Sequence, residues 1–306
     1  MRPQVPKRII QTGKNRNLPL QQRAAAASVK LLNPDFEYLF FDDEQVEDFV
    51  VREFPEHRIV FHSFRFPIQR FDFFRYLAVY RYGGFYFDLD VFLAEGLVSL
   101  LDSGCVFSFE RLNKNRFLRD TYGMDWDIGN YAFGATTGHP FLRTVIENCL
   151  RAQRDPDWVR PMMRGIPQHS RDDFYILNTT GPGLLSRTLA ENAALAEMVT
   201  VLFPRDACDS HSWHCFGDLG FHLMEGSWRK QQGFLRRRLV KFWERRASRS
   251  FLRESAELGK SRNSALNPFL SRIGATPASA ARTRSFAAPR WMPFGSGPQP
   301  LPRARK

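Results

Sequence analysis

The sequence predicts an α/β domain with a mostly parallel central sheet, on three observations. Short apolar runs of strand length alternate with stretches of helical spacing from the first residues onward. At Gln69 to Val91, a helix-like segment passes through a double glycine into an aromatic strand that ends on two aspartates. The charge also divides the chain: residues 229 to 306 hold 19 Lys and Arg against three acids, whereas residues 1 to 228 hold 25 basic and 29 acidic side chains. An acidic body is thus distinct from a basic end.

Each element follows from its own residues. Arg8-Ile9-Ile10 is an apolar run closed by Thr12-Gly13, the pattern of a first buried strand. Gln21 to Leu32 is alanine-rich and stops at Asn33-Pro34, because the residue before a proline is driven out of the helical region. Phe36 to Phe41 has strand composition. Asp42 with Gln45 three places on gives a capping-box signature, and Val46, Phe49, Val50 and Phe54 then follow helical spacing up to Pro55. This β-α-β-α order is what sets parallel strands side by side with helices between them.

In the next stretch Phe71, Phe74, Leu77, Ala78 and Tyr82 mark an apolar helix side, with Asp72 and Arg75 as surface neighbours three apart. Gly83-Gly84 supplies the left-handed stop of a helix C-terminus. Phe85-Tyr86-Phe87 reads as strand. Alternation carried on to Val91 sets Phe85, Phe87, Leu89 and Val91 on one face and Tyr86, Asp88 and Asp90 on the other. Open α/β sheets bind ligands beyond the carboxyl ends of their strands. Two carboxylates there suit a hard divalent ion such as Mg²⁺ or Mn²⁺, which relieves their repulsion and leaves positions for phosphate oxygens. The chemistry this predicts is the handling of a nucleotide diphosphate. Asp-x-Asp alone is also a common surface turn, and Asp72 with Arg75 alone is also an ordinary helix ion pair. The helix, double glycine and aromatic strand together point to a site.

At 306 residues and 43% hydrophobic, the chain has ample material for one core. No run approaches the ~18–20 apolar residues of a spanning helix, and the first residues lack the apolar centre of a secretory signal, so neither an anchor nor a cleaved signal is expected. Four cysteines are too few for a disulfide scaffold and fit a reducing cytoplasm. Three segments are expected: a body at 1–228, a basic amphipathic helix at 229–260 and a disordered Pro/Ser/Ala/Arg-rich tail at 261–306. Between Phe234 and Phe251, Leu235, Leu239, Phe242 and Trp243 share one side, opposite Arg237, Arg238, Lys241, Arg245 and Arg249. This is the pattern of a helix lying on an anionic membrane surface. Nucleic acid is not the expected partner, since the aromatics lie on one stripe and no groove-reading motif accompanies them.

Asp72, Arg75, Tyr76, Tyr80, Tyr82-Gly83-Gly84, Tyr86, Asp88 and Asp90 resemble the signature of glycosyltransferase family 32. These are DXD-containing sugar transferases of capsule and lipopolysaccharide synthesis, related to the yeast α-1,6-mannosyltransferases and more distantly to the clostridial glucosylating toxins. The resemblance extends to Pro6-Lys7 with Gln11-Thr12, although Ile10 stands where many members have histidine. It continues through Asn33 to Tyr38, Asn130, Gly138-His139-Pro140, Thr180-Gly181-Pro182, and His222 with Ser227-Trp228. About residues 5 to 228 are covered, and the basic end is not.

The resemblance implies a GT-A type nucleotide-diphosphosugar transferase fold. It also implies transfer of a hexose, with retention at the anomeric carbon, from a nucleotide-diphosphate sugar to a glycan or glycolipid acceptor in cell-surface polysaccharide synthesis. Asp90 would ligate Mn²⁺ or Mg²⁺ directly, and Asp88 would contact the donor sugar or ribose, or the metal through water. Asp72 and Arg75 would hold the donor sugar, Arg75 also near the diphosphate, with Tyr86 and Asn130 as further donor-binding side chains. His222 or Ser227 would complete the metal site, Glu225 being a competing ligand, and Trp228 would cover the leaving diphosphate. The location this implies is cytoplasmic, peripheral at the inner face of the plasma membrane. The alternative is a basic membrane-surface or nucleic-acid-binding protein whose transferase site is vestigial.

Two other readings fail. Cys208, His211, His214 and Cys215 lie close together, but adjacent His214 and Cys215 point apart and no paired Cys knuckle is present, so structural zinc is not expected. Neither a GxSxG elbow nor a GxxxxGK[ST] loop occurs, which removes the hydrolase-triad and P-loop classes.

Overall fold

The computed structural model describes residues 4–223 except 114 and 208, and of residue 211 the backbone alone. Glu225, Ser227, Trp228, the segment 229–260 and the tail 261–306 therefore lie outside the described residues. Those described belong to one compact unit.

β1 (Arg8–Thr12), α1 (Leu20–Leu32), β2 (Glu37–Phe41) and α2 (Asp43–Glu53) follow the expected order. The capping box forms: Asp42 Oδ1 accepts from the Gln45 N–H at 3.0 Å and Gln45 Oε1 accepts from the Asp42 N–H at 3.2 Å. Next come α3 (Arg58–Ser63), α4 (Pro67–Tyr82), β3 (Gly84–Phe87) and β4 (Val91–Leu93). The remainder is β5 (Cys105–Leu112), α5 (Arg116–Tyr122), β6 (Trp126–Ala135), α6 (Pro140–Arg154), α7 (Pro156–Val159), α8 (Arg171–Thr179), α9 (Pro182–Glu191), α10 (Ala193–Ala196), β7 (Thr200–Leu202) and β8 (Gly220–His222), with short 3-10 turns between them.

The main sheet has the order β2-β1-β3-β6-β5-β7. Of its strands β6 alone is antiparallel to its neighbours, so the sheet is mostly parallel, as the sequence predicts. Alternation divides the core between its two faces. Ile10, Tyr86, Phe107 and Phe133 join the cluster on the α4 side, while Ile9, Phe85, Phe87 and Val106 join Val29 of α1 on the other. Phe133 sits with its ring centre 4.9 Å from Phe107, 5.7 Å from Tyr86 and 5.8 Å from Tyr76. Truncating a ring so enclosed costs about 3–5 kcal/mol.

The double glycine meets a steric requirement as well as a conformational one. Gly83 and Gly84 have φ of +65° and +106°. A Cβ on Gly84 would stand 2.6 Å from the Arg8 carbonyl oxygen, and one on Gly83 would stand 2.7 Å from Pro6. Only glycine lets the chain leave α4 and enter the sheet against β1.

Two sequence expectations are corrected here. α4 does not have one apolar side and one wet side. Every residue from Asp72 to Val79 is buried, because the helix lies between the sheet and α2, α6 and α8. Asp72 and Arg75 are therefore interior groups, not surface neighbours. The strand alternation also stops at Phe87. Asp88 to Asp90 form a turn, closed by the Val91 N–H donating to the Asp88 carbonyl at 3.1 Å, and β4 leaves the main sheet to pair with β8.

Candidate functional site

The carboxyl end of β3 opens onto a crevice walled by β5 and β6, which continue past it: Phe87 pairs with Ala132, but β5 and β6 stay paired out to Leu112 and Trp126. Into this crevice the fold brings Asp72, Arg75, Tyr86, Asp88, Asp90, Asn130 and His222.

The inner layer is closed. Asp72 Oδ1 accepts from Asn130 Nδ2 at 2.9 Å, and Oδ2 accepts from Thr180 Oγ1 at 2.9 Å. Arg75 Nη2 lies 3.2 Å from Asp72 Oδ1. Its Nη1 donates to the Asn130 carbonyl at 2.8 Å and to Asp88 at 3.3 Å, and the guanidinium lies 4.8 Å from the centre of the Tyr86 ring. The Tyr76 hydroxyl donates to the Thr180 carbonyl at 2.7 Å, which fixes the turn carrying Thr180. Burial raises the Asp72 carboxyl to about 6, against the opposing effects of Arg75 and the Thr180 hydroxyl.

The outer layer is open. Side-chain exposure rises from 5% at Arg75 and 7% at Asp72 to 14% at Asp90, 15% at His222 and 27% at Asp88, so the solvent side of the crevice is the DXD side. The Tyr86 hydroxyl donates to Asp88 Oδ1 at 2.8 Å, and Arg75 holds the same carboxylate. Tyr86 is itself 1% exposed, so it orients Asp88 from beneath. Burial pushes the Asp88 carboxyl up, against the pull of Arg75.

His222 arrives from the far end of the described chain. β8 pairs Val91 with His222, and the His222 imidazole stacks on Tyr131 at 4.4 Å. The His222 N–H donates to the carbonyl of His214, whose φ of +63° is in the left-handed region and whose own N–H donates to the Glu110 carbonyl. Nε2 of His222 lies 3.0 Å from Asp90 Oδ1, while its Nδ1 is buried with no hydrogen-bond partner among the described residues. Burial lowers the imidazole pKa, but the hydrogen bond and charge of Asp90 outweigh it, and the net shift is upward.

Asp88, Asp90 and His222 each offer one ligand atom, and the three atoms lie within 4.8 Å of one another. The two carboxylates suit Mn²⁺ or Mg²⁺, and the imidazole beside them favours the softer Mn²⁺. Among the described residues this is the one such group. His214 instead lies 3.3 Å from Glu110, whose carboxyl burial would raise but which the charge of His214 brings down to about 2.

Several residues of the site carried no signal that sequence patterning reads. Thr180 and Gln11 stand only within segments of the family resemblance, with no role given, and Tyr131 is not singled out by it. Gln11 is wholly buried, accepts from the Tyr38 hydroxyl at 2.8 Å and reaches the Phe87 and Asp88 carbonyls at 3.4 Å. Of the expected residues, Ser227, Trp228 and Glu225 are outside the described residues, and the others named above converge.

The wall supplies a pH prediction. Asp127 of β6 accepts from Asn113 Nδ2 at 2.6 Å, and burial raises its carboxyl to about 6, with Arg111 opposing. The folded state then binds this proton more tightly than the unfolded state does. The corresponding stability is present below about pH 4 and is lost as pH rises through 6, on the order of 3 kcal/mol for such a shift. Asp127→Asn keeps an acceptor for Asn113 and is expected to flatten the stability profile between pH 4 and 6, leaving the slope due to Asp72 and Asp88. Urea unfolding at several pH values checks this, and an unchanged slope contradicts it.

Residues 19–107 match the family described as the glycosyltransferase sugar-binding region containing DXD motif. The match contains the Asp72–Asp90 segment that carries the resemblance seen in the sequence. It is 33% identical over 148 residues to Inositol phosphoceramide mannosyltransferase 3 of Schizosaccharomyces pombe, covering 48% of this chain and 38% of that protein. It is 29% identical over 237 residues to Mannosyl phosphorylinositol ceramide synthase CSH1 of Saccharomyces cerevisiae, covering 71% and 54%. The chain thus spans about half the length, or less, of these curated relatives. A solved structure, PaToxG Glycosyltransferase, aligns with a TM-score of 0.41 at 15% identity over 62% of this chain and 72% of that one, too loosely to bear on the site.

Proposed function

We propose that this chain transfers a hexose from a nucleotide-diphosphate sugar to a glycolipid acceptor, with a divalent cation held by Asp88, Asp90 and His222 in a GT-A type fold. The observation that carries the reading is the convergence of these three ligand atoms at the open edge of β3, directly in front of the buried Asp72–Arg75–Asn130 layer.

A cation bound there supplies Lewis-acid stabilisation of the charge that develops on a departing diphosphate. The chain's own groups do the positioning. Tyr86 and Arg75 fix the Asp88 carboxylate from two sides, and Tyr131 stacks on the His222 ring, whose Nε2 lies beside Asp90. Retention by internal return requires no nucleophile.

The acceptor class rests on the relatives, which are named for mannosyl transfer to inositol phosphoceramide. By that likeness the donor hexose is mannose and the acceptor a phosphate-bearing lipid, and work at a membrane surface is part of the same reading. Among the described residues no helix is long and apolar enough to cross a membrane. Contact through the basic segment 229–260, at the cytoplasmic face, belongs to the same proposal. The test is a panel of GDP- and UDP-hexoses with Mn²⁺. Release of nucleotide diphosphate from one donor, lost in excess chelator, is expected. Release unaffected by chelator, or none from any donor, refutes the reading.

A further inference from the structure

The two-stranded sheet β4–β8 has an apolar outer face. Val91 and Leu93 point inward, 0% and 5% exposed, as alternation requires. On the opposite face Phe92 and Phe221 stand across from each other, their rings stacked at 5.7 Å. Phe221 is 43% exposed, and Leu223, whose N–H donates to the Asp90 carbonyl at 2.9 Å, is 36% exposed. A solvated strand face ordinarily carries polar side chains, so three neighbouring apolar ones mark a contact surface. Its location adds to this: Phe92 is two residues from Asp90, and Phe221 adjoins His222.

We infer that this face seats on an anionic lipid bilayer and so presents the Asp88–Asp90–His222 cluster to a lipid-borne acceptor, an inference that rests on the glycolipid reading above. The occupant follows from charge and chain length. Residues 1 to 228 are net acidic and give an anionic surface no reason to attract them. Six residues after Leu223, at Arg229, the sequence turns strongly basic. Six residues span at most about 20 Å, so the first basic residues start within that distance of the apolar face in any conformation. Basic residues close to a face that can insert aromatic rings form the two-part signal by which peripheral proteins hold anionic membranes.

The experiment is sedimentation of the full chain with vesicles of phosphatidylcholine alone or mixed with phosphatidylserine. Binding to the mixed vesicles that weakens with added salt is expected. Phe92→Ser with Phe221→Ser should lower that binding by about tenfold or more. Metal-dependent donor hydrolysis in solution should stay at the parent level, which also shows that the variant is folded. As an independent readout, Phe221→Trp keeps the face apolar and adds a fluorophore, whose emission brominated acyl chains should quench. Undiminished binding by the double variant, or no added quenching in Phe221→Trp, overturns the assignment of the face while leaving the glycolipid reading standing. Absence of vesicle binding by the full chain overturns the membrane docking itself. Concentration-dependent dimerisation without vesicles, lost in the double variant, gives the face to a second copy of the chain and also overturns the inference.

Discussion

Asp90→Ala is expected to lower metal-dependent donor turnover by about 100-fold or more while moving the melting temperature by no more than about 5 °C. The two halves have separate grounds. Asp90 supplies one of three ligand atoms and lies 3.0 Å from Nε2 of His222, so its loss removes a ligand and the neighbour of a second. Loss of an outer partner of a ligand alone costs about 10- to 100-fold. The stability half follows from position: the side chain is in a turn, its backbone carbonyl still accepts from Leu223, and it contributes to neither core cluster. The lost hydrogen bond to His222 costs about 1 kcal/mol, a few degrees at this chain length. Initial rates across a Mn²⁺ titration, with calorimetry of the same preparations, check both. Parent-level turnover in Asp90→Ala, or turnover indifferent to the metal, would show that the cluster is not the site.

Arg75→Ala is expected to destabilise the fold by about 3–5 kcal/mol, because it leaves the Asp72 charge buried without its cation. At this chain length that corresponds to a fall in melting temperature of about 10 °C. Arg75→Lys separates the roles. A lysine keeps the charge but cannot reach Asp72, Asp88 and the Asn130 carbonyl together, as the planar fork does. The expected result is a smaller loss of stability with turnover per folded molecule down about tenfold or more, since Asp88 loses one of its two restraints. If the folded fraction of Arg75→Lys works at the parent rate, Arg75 serves the fold alone.

These two residues also show what patterning could read. The helix, its glycine stop and the strand after it were legible because each is decided by neighbours within a few residues, as was the capping box at Asp42. The burial of Asp72 and Arg75 was not. Helical spacing assigns a charged pair to water, and what overrides it here is a set of partners far along the chain: Asn130 is 58 residues from Asp72, and Thr180 is 108. The turn at Asp88–Asp90 escaped for a related reason. Alternation continues in a sequence whether or not the backbone does, and only the pairing of β4 with β8 shows that the strand has left the sheet. The position of His222 opposite Val91 rests on the same long-range pairing, so a motif could name the residue without giving its place.

The sheet β4–β8 also has a consequence in the time domain of synthesis. The main sheet is complete once β7 has emerged at Leu202, and by then Asp88 has its restraints from Arg75 and Tyr86. The imidazole that completes the cluster is about twenty residues further on, roughly one to four seconds of elongation at ordinary rates. Pausing or cleavage between Leu202 and His222 would therefore yield a body with every strand of its main sheet and no third ligand. A product ending before Phe216 would also lack the ring that packs edge-on against Phe87, and so would expose part of the core beside the cluster.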